Sequence, residues 1–157
     1  MTFSFTVDLE SAWVILMAMI PFGELRAAIP FAIYELGMEH EKAFFLSVIG
    51  NMLPVILLLL FLDPVSNWLR RYAVFDTFFN WLFSRTRRYS SSVDKYGSLA
   101  LIPFVGIPFP WTGAWTACAI AFVFGIRHKY AFSAIFAGVM IAGIIVTVFV
   151  DLFMELL

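Results

Sequence analysis

The stretch "IPFGELRAAIPFAIYELG", residues 20–37, places Glu24 and Arg26 inside a region of the chain that is otherwise apolar. A proline stands on either side of the two charges, and Gly23 precedes them. At positions i and i+2, the two side chains would not share one face of a continuous helix. They become neighbours if the chain turns there, which Gly23 permits and the prolines favour. The stretch therefore predicts a broken helix that carries an ionisable pair.

The composition around this stretch is that of an integral membrane protein. Of the 157 residues, 62% are hydrophobic and only 13% are charged, whereas soluble domains carry about 25% charged residues. Residues 43–62 and 130–150 are uncharged runs of 20 and 21 residues, and about 20 residues suffice to cross a bilayer as a helix. A cleavable signal peptide is not predicted, because the N-terminal region is acidic and lacks the basic start that such a peptide needs.

The sequence contains two similar units. A shift of 88 positions aligns residues 31–63 with residues 119–151 without a gap, and the identical pairs include Gly37/Gly125, His40/His128, Gly50/Gly138 and Asp63/Asp151. The triplet "IPF" at 20–22 also recurs at 107–109. Each unit therefore consists of a broken apolar stretch, a short polar link and a full-length helix.

Charge placement indicates how the broken stretches lie in the membrane. Lys and Arg collect on the cytoplasmic side of membrane proteins. If both broken stretches are re-entrant hairpins, the 63–97 loop and residues 127–129 share a face that holds eight of the ten basic residues. If both stretches cross completely, residues 127–129 lie on the other face. The hairpin topology therefore fits better, and it places the two units in opposite orientations, as in many secondary transporters.

These observations predict a single all-α, multi-pass membrane domain over residues 1–157. Repeat one covers 11–63, repeat two covers 97–151, and each is a re-entrant helical hairpin plus one transmembrane helix. Apolar residues recur at helical spacing in the linker, 64–96, which predicts an amphipathic helix lying in the membrane interface. We expect the cell (inner) membrane, with both termini outside and the 63–97 loop and residues 127–129 cytoplasmic.

The facing hairpin tips are the predicted substrate site. Ionisable residues within a membrane survive by pairing, by facing water or by serving function. Arg26 would hold an anionic head group, the half-helix that starts near Ala27 would point its positive end at the same place, and Glu24 would exchange a proton or pair with Arg26. The alternative is a salt bridge that only pins the turn. The predicted substrate-binding residues are Glu24, Arg26, Asn51, Trp111, Thr112, Trp115 and Thr116, and the predicted helix breakers are Pro21, Gly23, Pro30, Pro54, Pro108, Pro110 and Gly113.

The second unit carries no charge at its turn. Thr112 follows Pro-Trp and is a reasonable helix N-cap. Thr112 and Thr116 would either cap their own helix or complete a pocket opposite Glu24 and Arg26, and the pattern leaves both readings open. No catalytic arrangement, metal cluster or cofactor motif is present, so neither an enzyme nor a metal or cofactor site is expected.

Three segments of the chain resemble a known family. They are "PFGELRAAIPFAI", "GNMLP" at 50–54 and "YGSLALIPFVGIPFPWTGAWTACAIAFVFG" at 96–125, and they resemble the small multi-drug export proteins, a distant branch of the DedA/SNARE-associated (VTT-type) superfamily. That resemblance implies facing re-entrant hairpins in inverted repeats, a role in moving lipids such as polyprenyl phosphates, and proton coupling. Unlike DedA proteins, this chain has no arginine in its second broken stretch.

The leading prediction is a small secondary transporter or flippase for an amphipathic substrate, either an anionic lipid carrier or a drug-like molecule. Its partners would be membrane lipid, protons and a second copy in a homodimer, because so few helices make a thin wall around a cavity. No nucleic-acid partner is expected. The alternative is a non-transporting component that organises the membrane or an assembly and uses the Glu–Arg pair structurally.

Overall fold

The computed structural model describes residues 8–69, 71–72, 76–77, 80, 93–107 and 112–156. Within those ranges the chain forms helices and no β-strand, which confirms the all-α prediction. The helices are α1 (Leu9–Met19), α2 (Glu24–Tyr34), α3 (His40–Leu69), α4 (Val93–Gly106), α5 (Ala114–Val123) and α6 (His128–Leu156). Most of the predicted interfacial helix in the linker lies outside the described residues.

Among the described residues, two helices are long and apolar enough to cross a membrane, as the uncharged runs predicted. They are His40–Leu62 within α3 and His128–Leu156, which is α6. Only 50% of the apolar window of α3 and 39% of that of α6 is buried inside the molecule. Such large exposed apolar faces are unfavourable in water but suit contact with lipid. The α3 helix continues past Pro54 and Pro64 to Leu69, so it ends inside the segment predicted as the linker.

The first broken stretch forms two short helices that are joined by a tight turn at residues 20–23. α1 and α2 have 11 residues each, which is about 16 Å and half of what a bilayer requires. The amide of Glu24 donates to the carbonyl of Ile20 at 3.0 Å across the turn. α1 and α2 contact each other, and both pack against α3.

One end of the molecule, here called the His40 end, gathers the start of α1, the end of α2, the start of α3 and the end of α6. Its contacts join Lys42 to Asp8 at 3.8 Å, His40 to Asp151 at 2.7 Å, and the hydroxyl of Tyr34 to the carbonyl of Val150 at 3.4 Å. Because α1 begins and α2 ends at this end, the turn between them lies away from it. Ile20 and Phe22 of the turn are exposed, whereas Glu24, which follows the turn, is buried.

Each of the two long helices has a glycine at which a short helix packs closely against it. A Cβ on Gly50 would lie 2.5 Å from the carbonyl oxygen of Ile15, and a Cβ on Gly138 would lie 2.9 Å from the carbonyl oxygen of Ile102. Both separations are closer than a side chain allows, so only glycine permits α1 to reach α3 and α4 to reach α6 at these points. The two isoleucines are also in register with the repeated "IPF" triplet.

The ends of α2 and α5 are also alike. Gly37 follows α2 with φ +59° and Gly125 follows α5 with φ +68°, the left-handed conformation in which a glycine commonly ends a helix. α3 and α6 contact each other at the centre, α1 packs on α3, α4 packs on α6, and both α2 and α5 contact the two central helices.

Candidate functional site

Glu24 begins α2 with an unusual backbone. Among the described residues, Glu24 is the one non-glycine residue with a positive φ, +49°. This left-handed conformation costs an L-residue about 1–2 kcal/mol. Its side chain is only 6% exposed. The helix starts here and not near Ala27, because the amide of Ala27 already donates to the carbonyl of Gly23 at 3.1 Å. Pro30 consequently lies inside α2.

The carboxylate of Glu24 is seated at the N-terminus of α5. A Cβ on Gly113, the N-cap of α5, would lie 2.6 Å from the carboxyl carbon of Glu24. The backbone N–H groups of Ala114 and Trp115 face the same carboxylate. N–H groups in a first turn have no partner within the helix, and the helix dipole is positive there. Glu24 therefore supplies the negative charge that this helix end favours.

Arg26 reaches the opposite kind of helix end. Its Nη2 donates long hydrogen bonds to the carbonyls of Val105 and Ile107, at 3.4 and 3.3 Å, and to the hydroxyl of Thr112 at 3.5 Å. α4 ends at Gly106, so the two carbonyls belong to its C-terminus, where the dipole is negative.

The two charged residues of the first unit thus contact the two helix ends that flank the break in the second unit. Glu24 and Arg26 lie within electrostatic reach of each other, and the salt bridges that join two described side chains lie at the His40 end. The carboxylate sits on the start of α5 and the guanidinium on the end of α4. Removing either charge would expose polar backbone groups inside the fold.

Asn51 brings α3 to the same place. Its side chain faces the carboxylate of Glu24 and is fully buried. Neither atom of its amide makes a well-directed hydrogen bond to any residue that the structure describes. An amide in that position can hold a water molecule or a polar ligand group against Glu24.

The threonines divide between the two predicted roles. Thr112 joins the site, since its hydroxyl donates to the carbonyl of Ile107 at 3.1 Å and accepts from Arg26. Thr116 serves its own helix, because its hydroxyl accepts from the amide of Gly113 and donates to the carbonyl of the same residue, both at 3.0 Å. Gly113, not Thr112, is the N-cap. Trp111, Pro108 and Pro110 lie outside the described residues.

An apolar groove of about 450 Å³ lies beside the site, between the turn of the first unit and α3. Trp115 lines it, and the indole Nε1 is buried without a hydrogen-bond partner among the described residues. The remaining lining residues are Met19, Ile20, Pro21, Pro54, Leu57, Leu58 and Phe61. The groove offers apolar surface to one part of a ligand while the charged site serves another.

Two features of the site were missed in the sequence. Gly113 was predicted only as a helix breaker, and it also leaves space for the carboxylate of Glu24. Ser47, fully buried one helical turn before Asn51, was not singled out, although an i, i+4 pair of polar residues in an apolar run is a readable signal. The described residues contain no cluster of His, Cys, Asp and Glu that could hold a metal ion.

Comparison with known proteins adds one match. The model of the family described as "Putative small multi-drug export protein" matches residues 24–145, which include Glu24, Arg26 and the whole of α5. No curated protein and no solved structure matches the chain. The wider relation to the DedA superfamily therefore stays a prediction.

Proposed function

The chain belongs to the small multi-drug export family, and we propose that it is a small membrane transporter whose substrate site lies where its two broken stretches meet. Each broken stretch is a re-entrant hairpin that enters and leaves the membrane on one side. The two units are inverted repeats. Two observations support this arrangement. Gly50 and Gly138 make equivalent close contacts with a short helix, and the first broken stretch starts and ends at the His40 end.

The seat of Glu24 at the start of α5 is the observation that carries the mechanism. A helix N-terminus beside an arginine is a ready binding place for an anion. In this structure, the carboxylate of Glu24 occupies that place. An anionic head group can take the same position only if Glu24 leaves it or becomes neutral.

Protonation of Glu24 would connect the two events. A neutral carboxyl no longer satisfies the positive end of α5, and the negative charge of Glu24 no longer acts on Arg26. The anionic head group of the substrate then replaces the carboxylate on α5 and Arg26, and Asn51 helps to orient the protonated acid. When the substrate departs, Glu24 loses its proton and returns to its seat. Binding of the substrate and of the proton are thereby linked.

The apolar part of the substrate would lie in the groove beside Trp115. The groove is lined by apolar side chains and ends near the charged site, so it suits an amphipathic molecule with a hydrocarbon or aromatic body. An anionic lipid carrier such as a polyprenyl phosphate meets both requirements, and an anionic drug-like molecule does too. We propose the cell membrane as the location, with the His40 end outside, residues 127–129 cytoplasmic and two copies forming a homodimer.

A second candidate function rests on the same contacts. Glu24 and Arg26 satisfy backbone groups at the ends of α5 and α4, which is a structural task that a non-transporting membrane protein could need. In that case the pair pins one unit to the other, and the protein stabilises an assembly or organises lipid.

Reconstitution in liposomes under an imposed pH gradient separates the two functions. The probes are a fluorescent prenyl phosphate and the amphipathic anionic dye 8-anilinonaphthalene-1-sulfonate, and the variants are Glu24→Gln and Arg26→Ala. Glu35→Gln is the control, because Glu35 is exposed at the other end of α2. Loss of probe movement in the site variants with unchanged folding in detergent supports transport. Loss of folding alone, or no movement of either probe by the unmodified protein, supports the structural role.

A further inference from the structure

Three buried polar side chains in the first unit make no well-directed hydrogen bond to any described residue. They are Ser11 in α1, which is 1% exposed, and Ser47 and Asn51 in α3, which are both 0% exposed. Polar groups that are buried without a partner are rare and are commonly explained by ordered water. Three of them in a single unit indicate an internal hydrated region.

These side chains follow one another from the His40 end toward the site. Ser11 lies in the first turn of α1, next to the surface contact between Asp8 and Lys42. Ser47 precedes Asn51 by four residues on one face of α3, a rise of about 6 Å. Asn51 then faces the carboxylate of Glu24. The three polar positions therefore lie between the surface at the His40 end and the buried acid.

The long helix of the second unit lacks the polar residues that α3 carries. The positions of Ser47 and Asn51 correspond, at the shift of 88 residues, to Ile135 and Val139, and both of these are fully buried. Apolar side chains therefore fill the equivalent places in the same kind of packing. The fold does not require a serine and an asparagine there, so their presence in the first unit needs another explanation.

We propose that Ser11, Ser47 and Asn51 line a file of water molecules that carries protons between the His40 end and Glu24. This inference rests on the proposed function, in which Glu24 exchanges a proton. A proton enters from water beside Asp8 and Lys42, passes along the hydrogen-bonded waters without being consumed, and resides on the carboxylate. The groups that face Glu24 there are Arg26, Cys118 and the N–H groups of α5.

Cysteine accessibility tests the path without requiring transport. Cys118 is the only cysteine of the chain, so Cys118→Ala gives a background in which Ser47→Cys and its counterpart Ile135→Cys can be compared. Silver ion is small enough to follow single-file water and reacts with thiols. It is added to right-side-out or inside-out membrane vesicles, and the remaining thiol is counted after denaturation.

We expect silver to consume the thiol of Ser47→Cys, and only from the side on which the His40 end lies. The thiol of Ile135→Cys should be unreacted over the same time, because a thiol in an apolar interior is inert. Equal reaction at the two positions, no reaction at either one, or reaction of Ser47→Cys from the opposite side would overturn the proposal.

Hydrogen exchange on the unmodified protein covers the case in which the cysteine variants do not fold. Backbone amides at 47–51 should exchange faster than those at 135–139, and equally slow exchange in the two segments would overturn the path. If Ser47→Cys reacts as expected but no probe moves in liposomes, the path exists and the proposed transport fails. If probes move while Ser47→Cys stays unreacted, transport stands and Glu24 receives its proton by another route.

Discussion

Replacing Gly113 with alanine should displace the carboxylate of Glu24 from its seat on α5. The new Cβ would lie 2.6 Å from both the carboxyl carbon and Oε2 of Glu24, whereas comfortable contacts begin at about 3.5 Å. The carboxylate must therefore retreat by about 1 Å or more. The backbone of Gly113 is extended, with φ −165°, so alanine introduces no backbone strain. We expect a loss of about 1–3 kcal/mol in the free energy of unfolding, as for other overpacked sites.

A double-mutant cycle isolates this contact. In the Glu24→Ala background, the space beside Gly113 is empty, and Gly113→Ala should lose only the preference for glycine over alanine at an N-cap. That preference is present in both backgrounds and cancels in the cycle. The remaining coupling between Gly113 and Glu24 should be about 1–3 kcal/mol.

Unfolding in mixed detergent micelles, followed by circular dichroism, measures the four proteins of the cycle. Gly37→Ala is the matched control, because Gly37 has no atom near its missing Cβ but has a left-handed φ. Its penalty comes from the backbone alone and should be the same with and without Glu24. If Gly113→Ala is equally harmful in the two backgrounds, the carboxylate does not sit against α5 and the proposed exchange with an anion is wrong.

Three further predictions use the same unfolding assay. Gly50→Ala and Gly138→Ala should each lose about 1–3 kcal/mol, because the new Cβ meets a backbone carbonyl that cannot move aside; a harmless alanine at either position would contradict the helix contact there. Arg26→Ala should lose about 1–3 kcal/mol by leaving carbonyls at the end of α4 unpaired, and Arg26→Lys should recover part of it, whereas equal losses would show that the charge at that helix end does not matter. Asp151→Asn should change stability by about 1 kcal/mol or less, because both side chains of its pair with His40 are about half exposed, and a larger loss that salt does not reduce would refute that estimate.

The sequence predicted the long helices and the break, because both depend on local properties. An uncharged run of sufficient length forms a helix in the membrane wherever it stands, and the turn beside Gly23 required only neighbouring prolines and glycine. The same local signals placed Glu24 and Arg26 at the turn. Asn51 was predicted to belong to the same site, and its side chain faces Glu24.

The partners of the charges could not be predicted, because they belong to a distant part of the chain. Glu24 and Arg26 were predicted to act on each other, and they do lie within electrostatic reach; each also reaches a helix end more than 75 positions away. Local rules also misplaced the start of α2, which was expected near Ala27 and lies at Glu24, so that Pro30 falls inside the helix. The left-handed backbone of Glu24 follows from where its carboxylate must go, which no local pattern states.

The two units differ where function is proposed and agree where the fold requires it. Gly50 and Gly138 perform the same packing task, whereas Asn51 stands opposite a valine in the second unit. Asn51→Val should therefore keep or raise the free energy of unfolding, since replacing an unsatisfied buried amide by an apolar side chain of similar size removes a desolvation penalty of about 1–3 kcal/mol. The same variant should abolish movement of the probes under a pH gradient. A protein that is destabilised by Asn51→Val would place the asparagine among the residues that hold the fold, and the difference between the units would then say nothing about transport.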